Sequence, residues 1–230
     1  MIHWLFNALA LGASVLTAWW FRNHFRVHHP LQYHSEIMAW YVLSAIIGMA
    51  MGAVGFGTLN LHLSGYDLWG KSVIGGLFGG ILAVEIFKKH HNMKKSTGLT
   101  FIPGLCALII VGRLGCHLAG LDDMTYGTES QLPWAVDLGD GIKRHPVALY
   151  ESLAMLLFLA VFILNFMKHQ SFWLNNGFAT FVLFYAAQRW CWENFKPYAE
   201  LALNQNLFQI LAVIMIIWAT TEYLKNNTQS

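Results

Sequence analysis

The sequence predicts an all-α, polytopic membrane protein with about seven transmembrane helices, an N-terminus outside the cell and a cytoplasmic C-terminus. Three observations carry that expectation. First, 56% of the 230 residues are hydrophobic and 11% are charged, with a mean hydropathy of +0.46; a soluble domain carries about 25% charged residues. Second, apolar runs recur at the length needed to cross a bilayer core, roughly 20 residues of helix for about 30 Å of hydrocarbon. Third, basic residues collect after alternate runs: Arg22 and Arg26, then Lys88, Lys89, Lys94 and Lys95, then Lys168, then Lys225. The other connections hold mainly Lys71, Lys143, Arg144 and Lys196. The richer set marks the cytoplasmic side.

Taken in order, the first run lies near 4–21. It lacks a charged leader and a small-residue cleavage site, so it reads as a retained helix and not a signal peptide. The second lies near 36–56, and the third, near 71–88, contains SVIGGLFGG. Its glycines suit close helix packing and equally the approach of a ligand to backbone. The fourth, near 98–115, ends in GRLG. The fifth, near 148–167, follows Arg144-His145-Pro146, and a proline fits the first turn of a helix because its missing N–H has no partner there anyway. The sixth, near 177–195, contains FYAAQRWCWENFKPY, and the seventh lies near 207–224. Residues 1–230 read as a single transmembrane domain, interrupted by one long outer-face loop near 116–147. That loop holds Asp122-Asp123, Tyr126-Gly127, Leu132-Pro133-Trp134 and Asp137-Leu138-Gly139-Asp140-Gly141, and connections of this length tend to be functional.

Two histidine-rich loops, RNHFRVHHPLQYHSE and KKHHNMKK, read as topology-setting charge at the headgroups. Cys106, Cys116 and Cys191 form no CxxC pair, so neither a disulfide framework nor a zinc site is expected. No metal, cofactor or nucleic-acid partner is expected.

Ionisable groups inside a membrane are costly and mark function. Arg113 ends the fourth run between Gly112 and Gly115, while Arg189 and Glu193 lie in the sixth. Arg189, Glu193 and Lys196 are four and three residues apart, which stacks them on one helical face. Glu151 lies just inside the fifth run and Glu85 near the end of the third. Two arginines at similar depth suit a phosphate, which a guanidinium binds through two parallel hydrogen bonds. In a membrane the commonest phosphate bearer is a phospholipid headgroup.

GRLG, RHPVALYE and RWCWENFK, in that order, together with SVIGGLFGG, the initial IHW and QIL at 209–211, resemble the prolipoprotein diacylglyceryl transferase family. The resemblance implies a seven-helix enzyme of the bacterial inner (cytoplasmic) membrane. It implies transfer of the diacylglyceryl group of phosphatidylglycerol to the thiol of a lipobox cysteine in a prolipoprotein signal peptide, with loss of glycerol phosphate. It further implies catalytic roles for Arg113, Arg189, Glu193, His145 and Asp122. Substrate binding would fall to Arg113, Arg189, Arg144, Tyr150, Glu151, Gly112 and Gly115. The expected partners are phosphatidylglycerol, the prolipoprotein and membrane lipids.

The departures concern proton handling. Ile74 stands where the family usually has histidine, Cys116 where it has asparagine, and Leu121 where it has glutamate, with Asp122 and Asp123 next as possible substitutes. Leu5 replaces a tyrosine and Ala53 an arginine. Three readings stay open: the same transfer with His62, His117 or His145 as relocated base; a phospholipid donor with a different acceptor; and a non-catalytic phospholipid binder. Cys116 as covalent nucleophile is a further candidate.

Overall fold

A computed structural model describes residues 2–31 and 35–228, without the side chains of Ile2, His3, Asp123 and Ala202. His34 of the first histidine-rich loop and the Asp123 carboxylate expected near the site therefore lie outside the described residues. Within them the chain forms seven α-helices: α1 (Ile2–Phe25), α2 (Ser35–Leu63), α3 (Val73–His90), α4 (Ile102–Ala119), α5 (Val147–Phe166), α6 (Gln170–Glu193) and α7 (Leu207–Thr228). Each falls on one of the predicted apolar runs. α1, α2, α4 with its flanking turns, α5 and α7 are long and apolar enough to cross a membrane. α3 carries Glu85, Lys88 and Lys89, and α6 carries Gln188, Arg189 and Glu193, which lowers the apolar character of both.

The helices run up and down. Phe21 and Phe25 near the end of α1 meet Phe166 at the end of α5, and Asn176 at the start of α6 bonds to Asn227 at the end of α7. At the other end, Phe6 of α1 packs against Gly115 of α4, and Ser64 beyond α2 accepts the amide of Ala199 beyond α6. A single apolar cluster drawn from α1 and α3 through α7 fills the middle, with Phe162, Phe181, Ile74, Ile102 and Met155 fully buried. Ile74, at the departure in α3, is thus a core residue.

The helix-three glycines serve packing. A Cβ on Gly52 would lie 2.2 Å from the Gly75 carbonyl, and one on Gly79 2.2 Å from the Gly48 carbonyl. Only bare backbone lets α2 and α3 come this close. Ser72 caps α3, its hydroxyl accepting from the Gly75 amide at 3.2 Å.

α4 runs further than the sequence suggests, to Ala119, so Arg113 sits well inside the helix and not at its end. Gly112 and Gly115 do not break it, because Gly115 is clamped against Phe6.

The long loop is ordered around a short hairpin, β1 (Val136–Asp137) against β2 (Lys143–Arg144). The Asp137 carboxylate accepts the amides of Gly139, Asp140 and Gly141, closing a turn in which both glycines adopt positive φ. A second hairpin, β3 (Glu200–Ala202) with β4 (Gln205–Asn206), joins α6 to α7.

Candidate functional site

The charged residues of three helices meet at one buried point. Glu151 of α5 is 0% exposed and is the hub. One of its oxygens lies 2.6 Å from Arg113 Nε of α4. The other accepts from Arg189 of α6 and, at 2.9 Å, from Lys196 Nζ just beyond α6. Arg189 also pairs with Glu193 one turn on, and Lys196 approaches Glu193 at 3.6 Å. Asn206 of β4 donates to the remaining Glu193 oxygen at 3.3 Å. Every charged member of this cluster is buried.

The predicted stacking of Arg189, Glu193 and Lys196 therefore holds, and Arg113 and Arg189 do converge. They converge on a shared carboxylate, Glu151. Unpaired charges cannot be tolerated in such a setting, so ion pairing and hydrogen bonding compensate them. Burial, followed by the neighbouring Arg189 charge, pulls the Lys196 ammonium below its ordinary pKa. Burial likewise pushes the Tyr198 phenol up.

A recess lies one turn further along α4, toward its C-terminal end. It is a cavity of about 20 Å³ whose walls include Cys116, His117, Tyr126, Arg144, His145 and Ala148, a size that holds roughly one water molecule. Cys116 and His117 follow Arg113 by three and four residues, and Ala148 precedes Glu151 by three. The recess thus sits directly over the ionic cluster, on the same faces of α4 and α5. It joins two of the three candidate bases to the arginines through the helix backbone.

Arg144 enters this wall already engaged. Both its terminal nitrogens donate to Asp140 at 2.7 Å, and its guanidinium lies 5.3 Å from the Tyr126 ring centre. The Arg144 partner holds the Asp140 carboxyl below its usual range. His145 is placed by its amide, which donates to Thr128, and by its ring, which packs on Phe195. Gly127 is required beside it, since a Cβ there would lie 2.3 Å from the His145 carbonyl. Tyr150 is engaged by aromatic neighbours: its hydroxyl accepts from Trp134 at 2.8 Å and its ring packs on Trp192.

Four expected residues stand apart. Asp122 is exposed on the turn after α4 and, among the described residues, makes no ion pair with the cluster. His62 is exposed beside Asp67 at 3.7 Å and does not line the recess. Gly115 serves helix packing, whereas Gly112 has open space where a Cβ would go.

Sequence reasoning placed Lys196 on the face of Arg189 and Glu193 without giving it a role in the site, and it missed Tyr185. Tyr185 is fully buried one turn before Arg189, and its hydroxyl has no hydrogen-bond partner among the described residues. The four-residue spacing to Arg189 was the available signal.

Compared with known proteins, residues 1–224 match the family model for prolipoprotein diacylglyceryl transferase. The chain is 28% identical over 239 residues to the phosphatidylglycerol–prolipoprotein diacylglyceryl transferase of Ehrlichia ruminantium (strain Welgevonden), covering 94% of this chain and 89% of the relative. It is 25% identical over 241 residues to the protein of that name from Wolbachia pipientis subsp. Culex pipiens (strain wPip), covering 97% and 90%. With the counterpart from Pseudomonas paraeruginosa (strain DSM 24068 / PA7) it shares 28% identity over 176 residues, 70% of this chain and 65% of the relative. A multi-pass arrangement of apolar helices, a buried arginine pair and this match over nearly the whole length agree, and the chain belongs to the prolipoprotein diacylglyceryl transferase family.

Proposed function

We propose that this protein transfers the diacylglyceryl group of phosphatidylglycerol to the lipobox cysteine thiol of prolipoproteins, from a single seven-span domain of the bacterial inner membrane. The orientation that fits is N-terminus outside and C-terminus in the cytoplasm. Its support is the up-and-down helix order, which gathers Arg22, Lys88, Lys89, Lys168 and Lys225 at one end of the bundle. The ionic cluster and its recess then lie toward the outer leaflet.

The observation that carries the activity is the convergence of Arg113 and Arg189 on Glu151 directly beneath the recess. In the transfer, the acceptor sulfur forms a bond to the terminal glyceryl carbon and the carbon–oxygen bond to phosphate breaks. Glycerol phosphate leaves with the bonding pair, and the thiol proton passes to a base. Guanidinium groups fixed in advance stabilise the charge growing on the departing phosphate, and do so strongly where water is scarce. Glu151 keeps both arginines in place, and Glu193 and Asn206 hold Arg189 from its other side. His117 and His145, in the wall above, are the candidate proton acceptors, since neutral imidazole is a base at physiological pH.

The test offers purified protein in phosphatidylglycerol vesicles a lipobox peptide and follows glycerol phosphate. Release that fails in Arg113→Ala and Arg189→Ala supports the reading. Release only with other thiol or hydroxyl acceptors moves the acceptor elsewhere. No release, with phosphatidylglycerol binding that disappears in Arg113→Ala, identifies a lipid-binding protein instead.

A further inference from the structure

We infer that Gln188 and Trp192 form a subsite for the hydroxyl groups of the phospholipid headgroup. The inference rests on the phosphatidylglycerol reading above and assigns the part of the headgroup beyond the phosphate.

Gln188 is buried, at 9% exposure, yet both atoms of its amide lack a hydrogen-bond partner among the described residues. The same holds for the indole nitrogen of Trp192, which is also buried. The two residues are four apart on α6 and so share one face. Buried polar atoms are rarely left unsatisfied, and these cluster on adjacent turns of a single helix. Packing alone does not account for them: an apolar residue at 188 would fill the same space without stranding an amide.

Their position names the ligand. Arg189 is three residues before Trp192, which shares its face with Gln188, and side chains three apart on a helix lie about 5–6 Å from each other at Cβ. A phosphodiester engaged by Arg189 would carry its esterified alcohol within that distance. An amide offers a donor and an acceptor, and the indole offers a donor. That set matches two neighbouring hydroxyls, each of which donates and accepts. The Trp192 ring is held by Tyr150 of α5 at 5.2 Å and by Phe195 at 6.2 Å, which fixes where its N–H points.

The experiment compares phosphatidylglycerol with phosphatidylpropanol, a phosphodiester of the same charge that lacks the two hydroxyls. Headgroup phosphate release to a lipobox peptide is measured for wild type, Gln188→Leu and Trp192→Phe. The second variant keeps the ring packing and removes only the N–H. A site built to bond hydroxyls rejects an analogue without them, so wild type should favour phosphatidylglycerol by about tenfold or more in kcat/KM. The ratio should fall toward unity in Gln188→Leu and fall partway in Trp192→Phe. An unchanged ratio in both variants, or no preference in wild type, overturns the inference while leaving the transfer reaction standing. No release from either lipid by wild type overturns the transfer reading, and the subsite falls with it.

Discussion

Replacing Glu151 by glutamine removes one charge and almost no volume, yet it should be among the most damaging single changes in the chain. Glu151 is 0% exposed and pairs with Arg113 at 2.6 Å, with Lys196 at 2.9 Å and with Arg189. The substitution leaves Arg189 and Lys196 with Glu193 as their remaining carboxylate in ion-pair contact among the described residues. Breaking a buried ion pair from one side costs about 3–5 kcal/mol. A hub serving three partners belongs at the upper end, consistent with about 4 kcal/mol for unit charges 4 Å apart at an effective dielectric near 20. Removing Arg113 as well relieves part of the cationic excess. The double variant Glu151→Gln/Arg113→Gln should therefore cost less than the sum of the singles by at least about 2 kcal/mol, within the range of directly coupled residues. Unfolding in mixed micelles, followed by tryptophan fluorescence as denaturing detergent is titrated in, gives all four corners of the cycle. Additive single effects would refute the shared-hub description, and so would a Glu151→Gln variant as stable as wild type.

The α2–α3 contact and the pH response can be probed by thermal unfolding in the same micelles. Gly52→Ala should lower the melting temperature at a cost of about 1–3 kcal/mol through overpacking, because its Cβ would meet the Gly75 carbonyl at 2.2 Å. Gly112→Ala, with nothing within 4 Å of its Cβ, should be neutral or stabilising by about 0.5–1 kcal/mol through the helix preference for alanine; equal losses at both positions would contradict the packing description. At the opposite end of the bundle, burial and the Arg22 charge lower His29 from 6.5 to about 4. Its ring lies among Tyr41 and Phe101, with Nδ1 accepting the Leu31 amide. The unfolded chain binds this proton more readily, so stability is intact above about pH 6.5 and declines as pH falls toward about 4. Melting temperatures at pH 7, 5.5 and 4.5 should therefore drop less steeply in His29→Gln than in wild type, and parallel curves would rule out this origin.

How far the sequence reaches depends on the range of the interactions involved. Helix positions follow from apolar run length, a local property, and all seven runs became helices. Their ends were harder. α6 begins at Gln170 and not near 177, because Asn175 and Asn176 look like loop residues until Asn176 finds Asn227 across the bundle. The pairing of Arg189 with Glu193 was visible because four residues make one turn. That Glu151 would gather Arg113, Arg189 and Lys196 was not, since it depends on how α4, α5 and α6 pack. The resemblance assigned Arg144 to substrate binding, and the Asp137–Gly141 turn delivers Asp140 to it. The glycines of α3 fitted two roles equally in sequence, and the 2.2 Å approaches assign them to packing.

The account stands most directly on the affinity of the purified protein for phosphatidylglycerol, measured in wild type, Arg113→Lys and Arg189→Lys. Lysine keeps the charge but loses the planar two-pronged geometry that grips phosphate and carboxylate alike. Binding at least about tenfold weaker in each variant, roughly 1.4 kcal/mol, is the predicted result. Affinity unchanged in both would mean that the paired guanidinium groups hold the helices together and take no part in receiving the lipid.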